Sequence, residues 1–194
     1  MYTLVHPTKT GGIAFGTHLQ RYPQIQTRFL GHEEKCTLTN NPIVTLREPI
    51  DRFVSQYNFW KYGSDYKGCT RSEHFQESVK DYIRFIKEDS PKLREKFTGR
   101  HHYAPQSKWI PPECYPVTII VRYERDLTPK VRDLLRYLGV PWDHGRILPL
   151  NVSLKKESVE LDAEDLSWIQ DYYRADFELW DLVLKCPEAF KKVI

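Results

Sequence analysis

The sequence predicts a three-layer α/β fold in which one parallel sheet lies between helices on both faces. Short apolar segments typical of buried strands alternate with segments whose apolar residues recur at helical spacing, and this alternation is typical of parallel sheets covered on both faces. The chain has 194 residues, of which 40% are hydrophobic and 28% are charged, so it is long enough to bury one substantial core. We therefore predict a single domain over residues 1–194.

A glycine-rich turn joins the first predicted strand to the first predicted helix. Residues 2–5 form a short apolar segment typical of a buried strand. After the turn at 6–12, apolar residues at i, i+4 and i+7 predict a helix that stops at Pro23. These apolar residues are Phe15, Leu19 and Tyr22.

The second predicted strand is 42–47, and Pro49 takes a first helical position after it. The apolar stripe of that helix consists of Ile50, Phe53, Val54 and Tyr57. Residues 61–70 are predicted to form a loop. Ser72 then caps a further predicted helix, whose inward residues are Phe75, Val79, Tyr82 and Ile86.

The second half of the chain continues the pattern of strands and helices. The third predicted strand is 117–121, and Thr128 begins the helix that follows it. Asp162 begins the last predicted helix, whose apolar side consists of Leu166, Ile169, Tyr173, Phe177 and Trp180. The segments 89–116, with five prolines, and 140–160 are predicted to be irregular, and long ordered connections tend to carry function.

Charge and cysteine content narrow the possible functions. The formal net charge of +3 is too small to indicate nucleic-acid binding. The four cysteines lie far apart without a Cys-x-x-Cys pair, which argues against a zinc site. The chain begins with strand sequence and has no apolar run long enough for a membrane span. We therefore expect reduced thiols, no membrane span and a cytoplasmic location.

The glycine-rich turn has the features of an anion-binding site. Lys9, Gly11 and Gly12 lie where a strand meets a helix, so unpaired backbone N–H groups, the helix dipole and one ammonium converge there. The loop that binds ATP or GTP places its lysine after the second glycine, whereas here the lysine precedes both glycines. The second strand ends in Arg47, where a nucleotide kinase would place a carboxylate for Mg²⁺. We therefore predict an anion held by cations and backbone, without a metal.

Ser55 is a candidate for a second anion contact. On the helical period it shares a face with Asp51 and Arg52, away from the apolar stripe. Its hydroxyl is therefore placed to meet a second anionic group near Arg47. The alternative is that Ser55 only faces solvent and that Arg47 belongs to a surface ion pair.

Two motifs resemble those of sulfotransferases that use 3′-phosphoadenosine 5′-phosphosulfate (PAPS). Residues 9–12, Lys-Thr-Gly-Gly, resemble the loop for the 5′-phosphosulfate, and residues 46–55 resemble the motif for the 3′-phosphate. The resemblance is greatest to glycan sulfotransferases, in particular the heparan sulfate 2-O-sulfotransferases. It extends through 57–66, Tyr-Asn-Phe-Trp-Lys-Tyr-Gly-Ser-Asp-Tyr, and more loosely through 123–127 and 173–177.

The resemblance implies a P-loop-like sulfotransferase fold and an O-sulfotransferase that moves the sulfuryl group of PAPS to a hydroxyl, most simply of a carbohydrate. The reaction would be an in-line displacement with a histidine base and no metal. The implied cofactor-binding residues are Lys9, Thr10, Gly11, Gly12, Arg47, Ser55 and Lys155. Among them Lys9 also has a catalytic task, since it would stabilise the charge that grows on the bridging oxygen.

The implied catalytic base is His32. The heparan sulfate 2-O enzymes carry two histidines around a glycine just before the second strand, and the second of them is retained here. Glu33 and Glu34 are rival bases, since other sulfotransferases use glutamate. The candidate acceptor-binding residues are Arg100, His101 and His102 in the proline-rich connection, and the two histidines are further rivals for the base.

The chain departs from the family pattern at the glycine-rich turn. Thr8 separates Pro7 from Lys9, and Ile13 and Ala14 stand where the family carries hydroxyl side chains that bind the phosphate. Two hydrogen bonds to a charged group would be missing, each worth roughly 1.5–3 kcal/mol. A non-catalytic module that binds adenosine bisphosphate or another anion is therefore an open alternative. Separately, the acceptor could be a tyrosine side chain or a small alcohol.

Overall fold

One sheet of five parallel strands organises the fold. The structure is a computed structural model that describes residues 2–25, 27–29, 34–63, 76–94, 102–124, 126–142, 145–148, 153 and 156–194. The strands are β1 (Tyr2–Val5), β2 (Thr27–Phe29), β3 (Pro42–Leu46), β4 (Ile119–Arg122) and β5 (Lys192–Val193). Their order across the sheet is β2-β1-β3-β4-β5.

The described helices connect these strands or follow them. They are α1 (Gly12–Leu19), α2 (Pro49–Tyr62), α3 (Val79–Lys87), α4 (Pro91–Arg94), α5 (Thr128–Tyr137), α6 (Ala163–Tyr172) and α7 (Arg174–Lys185). Short 3₁₀ segments lie at Pro23–Ile25, Gln106–Trp109, Pro112–Val117 and Pro187–Ala189. No helix in the described ranges is both long enough and apolar enough to cross a membrane.

Both faces of the sheet are covered by helices, which confirms the predicted three-layer arrangement. Successive strand residues point to opposite faces. The face covered by α1 and α5 carries Leu4, Ile43 and Ile119, and the face covered by α7 carries Val5, Val44 and Ile120. All six side chains are buried, so the strands are apolar on both sides, as parallel sheets require.

Helix α2 is anchored by a separate aromatic cluster. Phe53, Tyr57 and Trp60 pack with Tyr82 of α3 and Ile169 of α6, and the rings of Trp60 and Tyr82 lie 5.1 Å apart between centroids. This cluster fixes one side of α2. The other side of the helix is thereby held against the carboxyl ends of the strands. The order in which strands are added to the sheet reverses there, between β1 and β3.

The predicted start of the third helix is wrong. Ser72 itself lies outside the described residues, but residues 76–78 are not helical and α3 begins at Val79. Ser78 and Asp81 form a reciprocal capping box, in which each side chain accepts a hydrogen bond from the other residue's backbone N–H. That Ser-x-x-Asp pattern is the stronger N-terminal signal.

Other elements also differ from the sequence prediction. The third predicted strand, 117–121, is observed as β4 at Ile119–Arg122. Helix α2 continues to Tyr62, into the segment predicted to be a loop. The last predicted helix begins after Asp162, as expected, but Tyr173, with φ −102° and ψ 22°, separates α6 from α7. The sequence pattern does not predict β2 or β5, because strands of three and two residues are too short to show a period.

Candidate active site

A cleft of about 620 Å³ opens at the carboxyl ends of β1, β3 and β4. This is the edge where ligands bind in open α/β sheets, at the point where the strand order reverses. The predicted site residues that line it are Lys9, Gly11, Gly12, Arg47, Ser55 and His102. The structure therefore brings the two predicted anion-binding motifs, which are separated in sequence, into one site.

The glycines of the turn are required by close packing. Gly11 has φ 76°, a left-handed value, and a Cβ on it would lie 2.4 Å from the ring of Tyr123. A Cβ on Gly12 would lie 2.1 Å from Cβ of His6. Lys9 also has a left-handed φ of 61°, which costs energy in a non-glycine residue and is enriched at functional sites.

Thr10 supports the turn from below. Its side chain is buried, and its hydroxyl lies 2.7 Å from the carbonyl of Pro7 and 2.8 Å from the hydroxyl of Thr45 on β3. The hydroxyl therefore makes its hydrogen bonds inside the fold, which leaves the backbone N–H of Thr10 as its group for binding an anion. Because Gly11 has no side chain to cap α1, the first N–H groups of that helix also depend on partners outside the helix.

The ammonium of Lys9 lies in an aromatic part of the cleft. Its Nζ is 4.2 Å from the ring centroid of Phe59 on α2, and the imidazole of His102 stacks on the same ring at 6.1 Å between centroids. The hydroxyl of Thr8 donates a hydrogen bond to the carbonyl of His102. The turn, α2 and the segment at 102 are thus joined around one ring.

Arg47 is held at several points while it lines the cleft. Its Nε donates to Asp51 at 2.7 Å, its Nη1 donates to the carbonyl of Lys9 at 3.2 Å, and its guanidinium lies 4.6 Å from the ring centroid of Tyr123. The amide of Gln106 pairs with both its backbone N–H and its carbonyl. Arg47 therefore belongs to an ion pair, as the alternative interpretation states, and is also a fixed part of the cleft.

Arg52 is buried, although the helical period places it on the face of α2 away from the apolar stripe. It is only 1% exposed, because its partners are inside the fold. Its Nε donates to the carbonyl of Thr8, its Nη2 donates to the carbonyl of Ala104, and its Nη1 lies 3.5 Å from Asp176 on α7. Burial lowers the pKa of Arg52, and the carboxylate of Asp176 opposes that change.

The carboxylates in the cleft are paired with cations. The pairs are Asp51 with Arg47, Glu157 with Lys61, and Asp126 with Arg146. Hydrogen bonds from Thr128 hold the pKa of Asp126 below its usual value, with Arg146 adding to the effect. Paired carboxylates repel an anion less than isolated ones, so the arrangement is compatible with an anionic ligand.

Several lining residues escaped the sequence analysis, although two lie in segments that carry the family resemblance. Tyr123 begins the loosely similar segment 123–127, and Asn58 lies in 57–66. Arg146 and Lys156 also line the cleft. Lys156 directly follows Lys155, which the resemblance implies as a cofactor contact, whereas the sequence around Arg146 offers no comparable signal.

Five predicted or rival site residues lie outside the described residues. They are His32, Glu33, Lys155, Arg100 and His101. Glu34 is described: it is exposed and lies 3.6 Å from Arg28 in an ion pair. Within the described ranges, no group of three or more His, Cys, Asp or Glu residues is arranged to hold a metal ion.

A family model described as "Sulfotransferase family" matches residues 8–182. The matched range covers most of the chain and includes both predicted anion-binding motifs, Lys9–Gly12 and Arg47–Ser55. Comparisons with curated proteins and with solved structures give no match.

Proposed function

Because the chain belongs to the sulfotransferase family, we propose that it is a PAPS-dependent O-sulfotransferase that acts on a hydroxyl of a carbohydrate. The observation that carries the proposal is the single cleft in which the Lys9 turn and Arg47 lie at the carboxyl ends of adjacent strands. Two cations and a helix N-terminus suit a ligand with two separate phosphate groups. The cleft volume is also in the range of small-molecule sites.

When bound, PAPS would supply an activated sulfuryl group. The backbone of Thr10, Gly11 and Gly12 would hold its 5′-phosphate, and Arg47 with Ser55 would hold its 3′-phosphate. Lys9 would stabilise the negative charge on the oxygen released as the acceptor oxygen bonds to sulfur. Lys155, which lies outside the described residues, remains a candidate cofactor contact.

The chain must also supply a base for the acceptor proton. His32 is our proposed base, since the unperturbed pKa of histidine lies near neutral pH. His102 lines the cleft close to the ring that Lys9 contacts, so we assign it to the acceptor side together with Arg100 and His101. Glu33, Glu34, His101 and His102 are the rival bases.

One observation favours a second candidate, a module that binds adenosine bisphosphate without catalysis. Ile13 and Ala14 both line the cleft, and neither offers a hydroxyl to a phosphate. PAPS, the sulfuryl donor, would therefore bind more weakly, and transfer activity would be the property most affected.

Calorimetry and a transfer assay test the proposal together. We expect adenosine 3′,5′-bisphosphate to bind without Mg²⁺ and more tightly than ATP, and Lys9→Ala to abolish most of that binding. Equal affinity for ATP or a need for Mg²⁺ would contradict the proposal. Transfer of labelled sulfate is then measured on a panel of glycans, tyrosine peptides and small alcohols.

The same assay separates the candidates for the base. His32→Ala should abolish transfer and leave bisphosphate affinity unchanged, whereas loss of transfer only in Glu33→Ala or Glu34→Ala would reassign the base. Bisphosphate binding with no transfer to any acceptor would favour the non-catalytic module.

A further inference from the structure

The carboxyl-terminal half of α2 carries polar side chains that the proposed chemistry does not use. Asn58 points its amide at Glu157, far away in sequence: its Nδ2 donates to the Glu157 carbonyl at 3.3 Å, and the Glu157 N–H donates to its Oδ1 at 2.7 Å. One side-chain amide thus satisfies both backbone groups of a single residue. This arrangement fixes the main chain at 157 on α2.

The side chain of Glu157 is held by the same helix. Nζ of Lys61 lies 3.0 Å from its carboxylate, and the hydroxyl of Tyr62 also donates to that carboxylate. Nζ of Lys61 makes a second hydrogen bond, to the hydroxyl of Tyr57 at 2.9 Å. Burial alone would lower the pKa of Lys61, but the hydrogen bonds to Tyr57 and Glu157 outweigh it and raise that pKa. The ammonium of Lys61 therefore stays charged at neutral pH.

Asn58, Lys61 and Tyr62 of α2 thus fix both the backbone and the side chain of Glu157, and this contact lies at the edge of the cleft. Its position matters because the residue next to Glu157, Lys156, lines the cleft that also contains Lys9 and Arg47. Ordering a lysine costs both backbone and side-chain conformational entropy. Fixing the adjacent backbone removes part of the backbone cost before a ligand arrives.

We propose that Asn58 is a positioning residue that acts through Glu157 and holds Lys156 against the anion cleft, where its ammonium contributes to binding of the phosphorylated nucleotide. This inference rests on the proposed function, since it takes an adenosine bisphosphate as the ligand of the cleft. It gives a role to further residues of the motif at 57–62, in which Phe59 contacts Lys9.

A double-mutant cycle on bisphosphate affinity tests the role of Asn58. Calorimetry would give the dissociation constant of adenosine 3′,5′-bisphosphate for the intact chain, Asn58→Ala, Lys156→Ala and the double variant. We expect Lys156→Ala to raise it about tenfold, as expected for a charge-assisted contact, and Asn58→Ala to raise it severalfold. The double variant should bind no more weakly than Lys156→Ala alone, because Asn58 acts through Lys156.

Lys80→Met is the matched control. It removes one positive charge from an exposed ion pair with Asp162, away from the cleft, and should leave the dissociation constant unchanged. Asn58 also donates to the carbonyl of Val54 within α2, but alanine is the better helix former, so α2 should persist. If Asn58→Ala does not fold, Lys61→Met replaces it in the cycle and loosens Glu157 through its side chain.

The outcomes separate this inference from the proposed function. Wild-type affinity in Asn58→Ala, or effects of Asn58→Ala and Lys156→Ala that multiply in the double variant, would overturn the positioning role. In either of these two cases the proposed function still stands, provided that the intact chain binds bisphosphate and that Lys9→Ala loses this binding. If the intact chain does not bind bisphosphate at all, the proposed function fails and this inference fails with it.

Discussion

Arg52 and Asp176 form a buried ion pair beneath the turn at Lys9–Gly12, with Nη1 and Oδ2 3.5 Å apart and side chains 1% and 0% exposed. Arg52 also donates to the carbonyls of Thr8 and Ala104. Asp176 accepts hydrogen bonds from the backbone N–H groups of Gln106 and Ser107. The pair therefore joins α2 and α7 to both the turn and the segment after residue 102. Its main effect on the cleft is to fix the backbone that carries Lys9.

The buried pair leads to a prediction about stability. Asp176→Asn leaves the Arg52 guanidinium buried without its countercharge and should lower the free energy of unfolding by about 3–5 kcal/mol. Urea denaturation followed by tryptophan fluorescence measures it. The control is Asp171→Asn, which breaks a pair with Arg174 whose side chains are 69% and 70% exposed and should cost less than about 1 kcal/mol. Equal losses in the free energy of unfolding would show that the buried pair stabilises the fold no more than the exposed pair does.

Packing around the turn leads to a second prediction. A Cβ at position 12 would lie 2.1 Å from His6, so Gly12→Ala must displace His6 or the turn. We expect a loss of about 1–3 kcal/mol in stability, as for other overpacked sites, together with weaker bisphosphate binding. Gly145→Ala is the control, because a Cβ there meets nothing within 4 Å. An unchanged affinity in Gly12→Ala would mean that the turn does not contact the ligand.

The geometry of Arg47 leads to a third prediction. Its guanidinium bonds to Asp51 and to the Lys9 carbonyl while it lies over Tyr123, and an ammonium cannot make these contacts together. Arg47→Lys should therefore weaken bisphosphate binding by roughly tenfold although the charge is kept. Calorimetry checks this against Arg136→Lys, which alters an exposed pair with Asp133. If Arg47→Lys binds as the intact chain does, charge alone accounts for the contribution of Arg47.

Local patterns in the sequence were sufficient to predict the strands that build the cleft and the positions of Lys9 and Arg47. Arg47 directly follows one apolar strand and Lys9 lies in the turn after another, so topology alone places both at the carboxyl edge of the sheet. Arg52 could not be placed correctly, because its partner Asp176 lies 124 positions away and helical period alone makes it look exposed. Asn58 and Glu157, 99 positions apart, pose the same problem. Strands β2 and β5 depend on pairing with neighbours and not on their own pattern.

Ile13 offers a test in which affinity should rise. It lines the cleft at the second residue of α1, next to the first N–H groups of the helix. Ile13→Thr keeps a branched Cβ, shortens the side chain and adds a hydroxyl where the resembling enzymes carry one. A new hydrogen bond to a charged phosphate should tighten bisphosphate binding by roughly tenfold. Ile13→Val is the matched control, since it shortens the side chain without adding a donor and should leave affinity unchanged. Equal affinities in the two variants would mean that no phosphate lies against the start of α1, and the assignment of the 5′-phosphate to the Lys9 turn would then have to be withdrawn.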